Sequence, residues 1–166
     1  MILNRPSLQN LIGKKDLIGA EVGVKAGKNA KDMLEKLDIK KLYLIDDWSA
    51  AKVYRKEGVL IHLDKFKDKL IILNGKSSKM YVNIEDEELD FVYIDADHRY
   101  KGIKNDIKVY YPKVKMGGLV AGHDYFVHKN IGVMKAVDEA FDNVNSAFCI
   151  DKPVKLLCKD WWVWKK

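Results

Sequence analysis

Acidic side chains and histidines gather in two short stretches, each directly after an apolar run typical of a buried strand. Asp95, Asp97 and His98 form the first stretch, and His123 and Asp124 form the second. Two carboxylates that point into one cleft repel each other unless a proton or a cation lies between them. Oxygen ligands with open positions suit Mg²⁺, and a histidine can remove a proton near neutral pH. The two stretches therefore predict metal-assisted proton removal, whereas the simpler alternative for each histidine is a structural residue that caps a loop.

A glycine-rich stretch early in the chain predicts a second kind of contact. Glu21, Gly23 and Gly27 follow the apolar pair Leu17-Ile18 and precede a helical pattern. Their Glu-x-Gly-x-x-x-Gly spacing differs from the Gly-x-Gly-x-x-Gly of loops that wrap a pyrophosphate. A carboxylate at a strand end is a poor neighbour for phosphate and a good one for an ammonium or sulfonium group. The stretch therefore predicts a ligand that carries positive charge.

Two further strand ends carry polar residues. Asp46 closes the run Leu42–Ile45, where a carboxylate can accept hydrogen bonds from both hydroxyls of a ribose. Asp47 is an adjacent alternative, and Asp46 could instead cap a helix or a turn. The stretch Gly75–Ser78 closes the next run, where the edge of an adenine would be read. Because open α/β sheets bind ligands at the carboxyl ends of their strands, these positions predict one shared site.

The elements that must position these residues follow from the apolar pattern. Strands alternate with helical patterns along most of the chain, which requires a mainly parallel sheet with right-handed crossovers and helices on both faces. The last two strands, joined by a turn at Lys152-Pro153, predict an antiparallel hairpin at one edge. Trp161, Trp162 and Trp164 are expected to pack within the last strand rather than form an aromatic binding face. The predicted strands lie around residues 17–21, 42–45, 70–73, 89–94, 119–121, 147–150 and 155–164.

Length and composition limit the remaining possibilities. The 166 residues predict one domain over 1–166, with a short helical lead-in over 1–16. The formal charge of +6 comes from lysines spread along the chain, which favours a solvated surface over a nucleic-acid interface. Cys149 and Cys158 lack metal-ligand spacing and are expected to be reduced thiols of a cytoplasmic protein. No signal peptide or membrane-spanning segment is predicted.

Together these stretches resemble class I S-adenosylmethionine-dependent methyltransferases, whose motif I looks like the Glu21–Gly27 loop. The later stretches resemble the macrocin and mycinamicin type of sugar O-methyltransferase and the cephalosporin-hydroxylase-like family (methyltransferase domain family 24). The resemblance implies a Rossmann-like doubly wound seven-stranded sheet, S-adenosylmethionine as cofactor and Mg²⁺ as metal. It implies a small-molecule or sugar acceptor and leaves homo-oligomerisation open.

The resemblance also implies roles for single residues. His98 would be the catalytic base, and Asp95, Asp124 and His123 would be metal ligands, with the role of His123 open. The implied cofactor contacts are Glu21, Gly23, Val24, Gly27, Asp46, Asp47, Trp48, Gly75, Ser77, Ser78 and Asp95.

One departure from the family leaves a second function open. The larger members carry helices before motif I that build the acceptor pocket, whereas only a short lead-in precedes Leu17 here. The alternative to an O-methyltransferase is therefore a non-catalytic or partner-dependent subunit that binds S-adenosylmethionine. A nicotinamide dehydrogenase is disfavoured by the glycine spacing. A nucleic-acid methyltransferase is disfavoured by the absence of an Asn-Pro-Pro-Tyr type of motif.

Overall fold

The computed structural model describes residues 2–49, 56–126, 132–149 and 159–166. Its strands are β1 (Leu17–Val22), β2 (Ile39–Asp46), β3 (Leu70–Asn74), β4 (Leu89–Ile94), β5 (Val114–Gly122), β6 (Asn145–Phe148) and β7 (Lys159–Trp164). Its α-helices are α1 (Lys28–Lys36), α2 (Lys56–His62), α3 (Ser77–Met80), α4 (Tyr100–Tyr110) and α5 (Val133–Ala140). Short 3₁₀ turns occupy Pro6–Leu11, Asp64–Lys69, Tyr81–Asn83 and Tyr111–Lys113.

The strands form a seven-stranded sheet in the order β3-β2-β1-β4-β5-β7-β6. The pairings among β1 to β5 are parallel, whereas β7 runs antiparallel to both β5 and β6. The strand order reverses between β1 and β4, which is where open α/β sheets leave a crevice for a ligand. The predicted Rossmann-like doubly wound sheet with its C-terminal hairpin is confirmed.

The sheet register aligns the ends of the central strands. Val22 of β1 pairs with Ile45 of β2 and with Ile94 of β4, and Ile94 pairs with Gly122 of β5. The residues that follow these partners, among them Asp46 and Asp95, therefore lie in one row along the carboxyl edge of the sheet. This row is what the site is built on.

Two apolar layers hold the sheet. One layer packs α1 and the leucines of the lead-in against one face, and the other packs α4 and α5 against the opposite face. Because α1 carries its apolar residues three and four positions apart, it buries one stripe and leaves its lysines in water. The first layer includes Leu3, Leu8, Leu11, Ala30, Met33 and Leu34, and the second includes Ile103, Ile107, Tyr110, Val133, Ala136 and Val137.

Several boundaries differ from the sequence expectation. Strand β5 begins at Val114, so Gly117-Gly118 lies inside the strand rather than before it. The lead-in forms a 3₁₀ turn, and β6 ends at Phe148. The turn expected at Lys152-Pro153 lies outside the described residues. Trp161 is fully buried, which confirms the packed strand at that position, whereas Trp162 is partly buried and Trp164 is 36% exposed.

The expectation for the cysteines is wrong at Cys149. Cys149 is disulfide-bonded rather than a reduced thiol, and Cys158 lies outside the described residues. The prediction of reduced thiols rested on the lack of metal-ligand spacing and on the reducing cytoplasm, in which disulfides are rare. Among the helices that the structure describes, none has the length and apolar content that a membrane span requires.

Candidate active site

A cleft of about 1490 Å³ opens at the carboxyl edge of the sheet. Its walls come from the loops after β1 to β5 and from α4. The cleft brings together the sequence-predicted residues Glu21, Gly23, Val24, Asp46, Asp47, Trp48, Gly75, Ser77, Ser78, Asp95, His98, His123 and Asp124. Gly27 does not line it. Residues spread over a hundred positions of sequence thus share one space.

Glu21, at the end of β1, is a buried carboxyl group with an incomplete set of partners. Its Oε1 accepts a hydrogen bond of 3.0 Å from Nδ2 of Asn29, the second residue of α1. Its Oε2 and the Oδ1 of Asn29 are buried and have no hydrogen-bond partner. Burial is the main cause that raises the pKa of Glu21 to about 8. The pair therefore presents one unsatisfied acceptor, Asn29 Oδ1, and a second at Glu21 once its carboxyl loses its proton, which suits a cationic ligand with several N–H donors.

Gly23 and Gly27, the two glycines of the loop after β1, have different structural roles. Gly23 has φ +93°, and a Cβ there would lie 2.3 Å from the carbonyl oxygen of Asp95. Only glycine therefore lets the β1 loop pass this close to the β4 loop. Gly27 has φ +72° and precedes α1, where a Cβ would meet Val59 at 2.9 Å. Gly27 shapes the start of the helix rather than the cleft wall.

Asp46 organises the loops around it. Its Oδ2 accepts hydrogen bonds of 2.8 Å from the backbone N–H groups of both Val24 and Lys25, and its Oδ1 accepts one of 2.7 Å from Trp48 N–H. Asp46 therefore fastens the β1 loop to the β2 loop, which is the turn role that the sequence left open. A carboxylate has about four acceptor positions, so it can still accept from a hydroxyl.

Asp47 is bound locally instead. Its Oδ1 accepts hydrogen bonds from the backbone N–H and the hydroxyl of Ser49 at 3.0 and 2.7 Å. The Ser49 hydroxyl contact is the largest cause of a lowered pKa of Asp47. Of the two adjacent acids, Asp46 bridges two loops of the cleft, whereas Asp47 closes a turn.

His98 lies between two carboxylates. Its Nε2 is 3.0 Å from Oδ1 of Asp95, and its Nδ1 is 3.1 Å from Oδ2 of Asp124. An imidazolium that donates both N–H groups satisfies this arrangement. The hydrogen bond to Asp95 is the first of the causes that raise the pKa of His98. For Asp124, burial opposes ionisation, but the contacts with His123 and His98 prevail and lower its pKa.

The same group has donors that fit a divalent ion. The ligand atoms of Asp95, His98 and Asp124 all lie within 4.8 Å of one another. Carboxylate oxygens with one imidazole nitrogen suit Mg²⁺ less than all-oxygen sets and also suit Mn²⁺ or Fe²⁺. The third member of this group is His98, whereas sequence resemblance implied His123. His123 lies outside this group, and its Nδ1 is 3.2 Å from Oδ1 of Asp124.

A second polar cluster lies beneath the site. Asp160 of β7 is fully buried and accepts hydrogen bonds from Ser7 Oγ at 2.7 Å and Tyr93 Oη at 2.9 Å. Burial raises the pKa of Asp160. Arg5 lies 3.9 Å from Asp160 and 3.7 Å from Asp95, so it connects this cluster to the cleft. The lead-in is thereby fastened to the core next to Asp95.

Several of these residues were missed by sequence reasoning. Arg5, Asn29 and Asp106 line the cleft, and none belongs to the stretches that the motifs marked. Asn29 could have been found, because it follows Gly27 closely at the start of α1. Asp160 also had a signal, since an acid inside an apolar, tryptophan-rich strand needs a buried partner. Nothing in the sequence indicated where Arg5 would lie.

A family profile of methyltransferase domains matches residues 20–125, the segment that runs from the second half of β1 through the loop after β5. The chain belongs to this methyltransferase domain family. A relative in sequence is uncharacterized protein R132 of Acanthamoeba polyphaga mimivirus, which is 26% identical over 153 residues. That match covers 84% of this chain and 66% of the relative.

Solved structures show the same fold at low identity. The rRNA methylase of Streptococcus thermophilus matches with a TM-score of 0.70 and 10% identity, over 96% of this chain and 92% of that one. An S-adenosylmethionine-dependent O-methyltransferase of Thermotoga maritima matches with a TM-score of 0.68 and 14% identity, over 95% of this chain and 62% of that one. Spermidine synthase of the same organism matches with a TM-score of 0.65 and 14% identity, over 98% of this chain and 57% of that one. The methyltransferase-domain chain thus has the class I methyltransferase fold, and it spans little more than half of that synthase.

Proposed function

We propose that this methyltransferase-domain chain transfers a methyl group from S-adenosylmethionine to a hydroxyl of a polar small molecule or sugar. The observation that carries the proposal is the position of His98 between Asp95 and Asp124, in the same cleft as Glu21 and Asp46. A proton acceptor and the acids suited to a cationic nucleoside thus share one space. The O-methyltransferase among the structural neighbours agrees with the proposal, whereas the rRNA methylase shows that the same fold also serves a different class of acceptor.

The cofactor would be held by the two acids nearest the sheet's crevice. S-adenosylmethionine supplies a methyl group on a sulfonium, which is a strong electrophile. Glu21 and Asn29 would accept N–H bonds from its ammonium group through Oε2 and Oδ1, the buried atoms without partners. Asp46 would accept from one ribose hydroxyl with the position that the three loop N–H groups leave unused.

His98 would take the proton of the acceptor hydroxyl. Asp124 holds Nδ1–H, so Nε2 is the atom that would receive the proton once Asp95 turns away from it. Because the pKa of His98 is raised, the neutral base is scarce at low pH. The rate of methyl transfer is therefore expected to rise with pH through a single ionisation above 6.5.

Charged side chains in the cleft support a hydroxylated acceptor over a planar aromatic one. Among the described residues that line the cleft, Trp48 is the one indole or phenyl side chain. Arg5, Asp97, Arg99 and Lys101 line the cleft together with His98. Sugar hydroxyls find hydrogen-bond partners among these charged side chains, whereas a planar aromatic acceptor would have Trp48 as the indole or phenyl ring to stack on.

A divalent ion is the finer part of the proposal. Asp95 and Asp124 would hold it, and it would lower the pKa of the acceptor hydroxyl and fix its position. Because His98 contacts the same two carboxylates, the ion and the doubly bonded imidazole compete for them. The test is the rate of methyl transfer before and after treatment with EDTA. A rate that EDTA leaves unchanged and that added Mg²⁺ or Mn²⁺ does not increase would refute the metal proposal but not the proposal of methyl transfer.

The central test separates binding from chemistry. Calorimetry with S-adenosylhomocysteine is expected to give micromolar binding for the wild type and for His98→Gln. Methyl transfer to a panel of sugars and other alcohols is expected to fall by about 10²–10⁴-fold in His98→Gln. His62→Gln is the matched control, because His62 is an exposed residue of α2 outside the cleft.

The outcomes have distinct meanings. No binding of S-adenosylhomocysteine would remove the cofactor claim. Binding without turnover by the wild type on any acceptor would favour the partner-dependent subunit. Equal turnover by the wild type and His98→Gln would exclude His98 as the base.

A further inference from the structure

Asp106 is a buried carboxylate on α4 that has one oxygen without a partner. The residue is 1% exposed, and its Oδ1 accepts a hydrogen bond of 2.7 Å from Ser77 Oγ. Its Oδ2 is buried and has no hydrogen-bond partner. Asp106 also belongs to the residues that line the cleft. The neighbouring Asn105 amide helps to lower the pKa of Asp106 but makes no hydrogen bond of proper geometry to Oδ2, so this buried acceptor on the wall of a ligand site lacks a bonded partner in the protein.

The missing partner has to be a hydrogen-bond donor. Burial raises the pKa of Asp106 to about 6, so near neutral pH the group is mostly ionised. An ionised carboxylate only accepts hydrogen bonds, and a buried one without a donor is costly. A ligand N–H that reaches Oδ2 would remove that cost. The Ser77 contact orients the carboxylate, because Oδ1 is already occupied.

The position of Ser77 relates this acceptor to the ribose end of the cleft. Asn74, the last residue of β3, pairs with Asp46 of β2, and the Gly75 N–H donates to the Asp46 carbonyl at 3.0 Å. Ser77 follows two residues later, and its own carbonyl accepts from Tyr110 Oη at 3.0 Å. Asp106 and Tyr110, one turn apart on α4, therefore fix Ser77 next to the strand that neighbours Asp46. A nucleoside whose ribose lies on Asp46 would extend its base toward this point.

We propose that Asp106 selects the base of the cofactor, with its Oδ2 accepting a hydrogen bond from the 6-amino group of adenine. The inference rests on the proposed use of S-adenosylmethionine and names the residue that would distinguish its base. A 6-oxo purine has an acceptor where adenine has a donor, so it would face Oδ2 with two acceptors opposed. Sites built around a buried hydrogen bond reject analogues that lack the partner.

The experiment compares two ligands that differ only at this position. Dissociation constants of S-adenosylhomocysteine and S-inosylhomocysteine are measured by calorimetry at pH 7.5 for each protein. The wild type is expected to prefer the adenosyl ligand by about 10- to 100-fold, the range of one hydrogen bond to a charged group.

Asp106→Asn supplies the decisive variant. Ser77 still donates to Oδ1, so the amide Nδ2 replaces Oδ2 and presents donors to the base. The preference for the adenosyl ligand is then expected to fall at least tenfold and to move toward the inosyl ligand. Asp106→Ala, which removes both oxygens, is the second variant and should bind the two ligands about equally. Asp32→Asn, on α1 in the same cleft, should keep the wild-type ratio.

The ratio of the two affinities is the readout because a merely structural defect weakens both ligands together. A wild-type ratio below about threefold would overturn the inference without any variant, even if Asp106→Asn failed to fold. An unchanged ratio in both Asp106 variants would also overturn it. In both cases binding of S-adenosylhomocysteine would leave the proposed function intact, whereas no wild-type binding of either ligand would remove the proposed function itself.

Discussion

Binding of the cofactor should release a proton from Glu21. The carboxyl group of Glu21 is buried and its pKa is raised to about 8, mainly by loss of hydration. A ligand ammonium beside it favours the ionised form, so the proton must leave when the ligand binds. At pH 6.5 a group with this pKa is about 97% protonated, and an α-ammonium is already charged. About 0.9 proton per bound ligand is therefore expected to reach the buffer.

Calorimetry measures this number directly. The apparent binding enthalpy of S-adenosylhomocysteine is recorded at pH 6.5 in buffers of different ionisation enthalpy, and the slope gives the protons released. The affinity should also rise up to about tenfold per pH unit between pH 5.5 and 7, because the proton competes with the ligand. Glu21→Gln should lose the release and the pH dependence, whereas Asp32→Asn should keep both. A wild-type slope near zero, or an affinity that is flat with pH, would refute the reasoning.

The same pKa has a consequence for stability. A carboxyl whose pKa is about 8 in the folded chain and 4.5 unfolded binds more protons when folded. The free energy of unfolding therefore falls as pH rises between these two values. The interval is about 3.5 pH units at about 1.4 kcal/mol each, which gives at most about 5 kcal/mol. Urea unfolding of wild type and Glu21→Gln at pH 5 and pH 8 measures it, and the variant should show the smaller loss.

Three further predictions concern stability. Gly13→Ala should lower the free energy of unfolding by about 1 kcal/mol, because its φ of +85° is strained for alanine although nothing lies near the new Cβ. Gly23→Ala should lower it at least twice as much, because the new Cβ would also meet Asp95, and melting temperatures compare the two variants. The raised pKa of His98 contributes stability that is fully present below pH 6.5 and is lost as the pH rises through the raised pKa. In urea unfolding, His98→Gln should therefore differ most from wild type near pH 5.5. Asp160→Ala should lower the free energy of unfolding by about 3–5 kcal/mol, whereas Asp38→Ala, at an exposed site, should lower it by less than about 1 kcal/mol. Equal losses for the two variants in denaturant unfolding would contradict a stabilising role of the buried cluster around Asp160.

The fold was predictable because its strands are continuous apolar runs. The runs 42–45 and 89–94 are buried strands and the run 70–73 is a partly exposed edge strand, and each predicted run ends where the structure ends the strand or one residue earlier. The acids that follow the two buried runs, Asp46 and Asp95, were enough to predict a shared edge. Strand β5 was underestimated because Gly117-Gly118 resembles a turn, whereas Gly117 pairs its N–H with Lys165 beside β7.

The sequence predicted which residues line the cleft better than it predicted the hydrogen bonds between them. Sequence spacing indicated that Asp95 and Asp124 would converge and would need a proton or a cation between them. It could not indicate that the imidazole of His98 lies there, since that depends on the path of the loop after β4. The Ser77–Asp106 bond joins residues 29 positions apart through the packing of α4 on α3, which no local pattern encodes.

Four carboxylates at one sheet edge pose a charge problem, and each is resolved by different means. Asp46 accepts hydrogen bonds from backbone N–H groups, and Asp95 and Asp124 share His98, with Arg5 3.7 Å from Asp95. Glu21 has one side-chain amide, and at neutral pH it retains a proton instead. Backbone donors and the imidazole stay with the protein when a ligand binds, but a proton can leave. Glu21 is therefore the acid whose charge state a cationic ligand changes, and the proton count in calorimetry is the measurement most directly tied to the proposed cofactor.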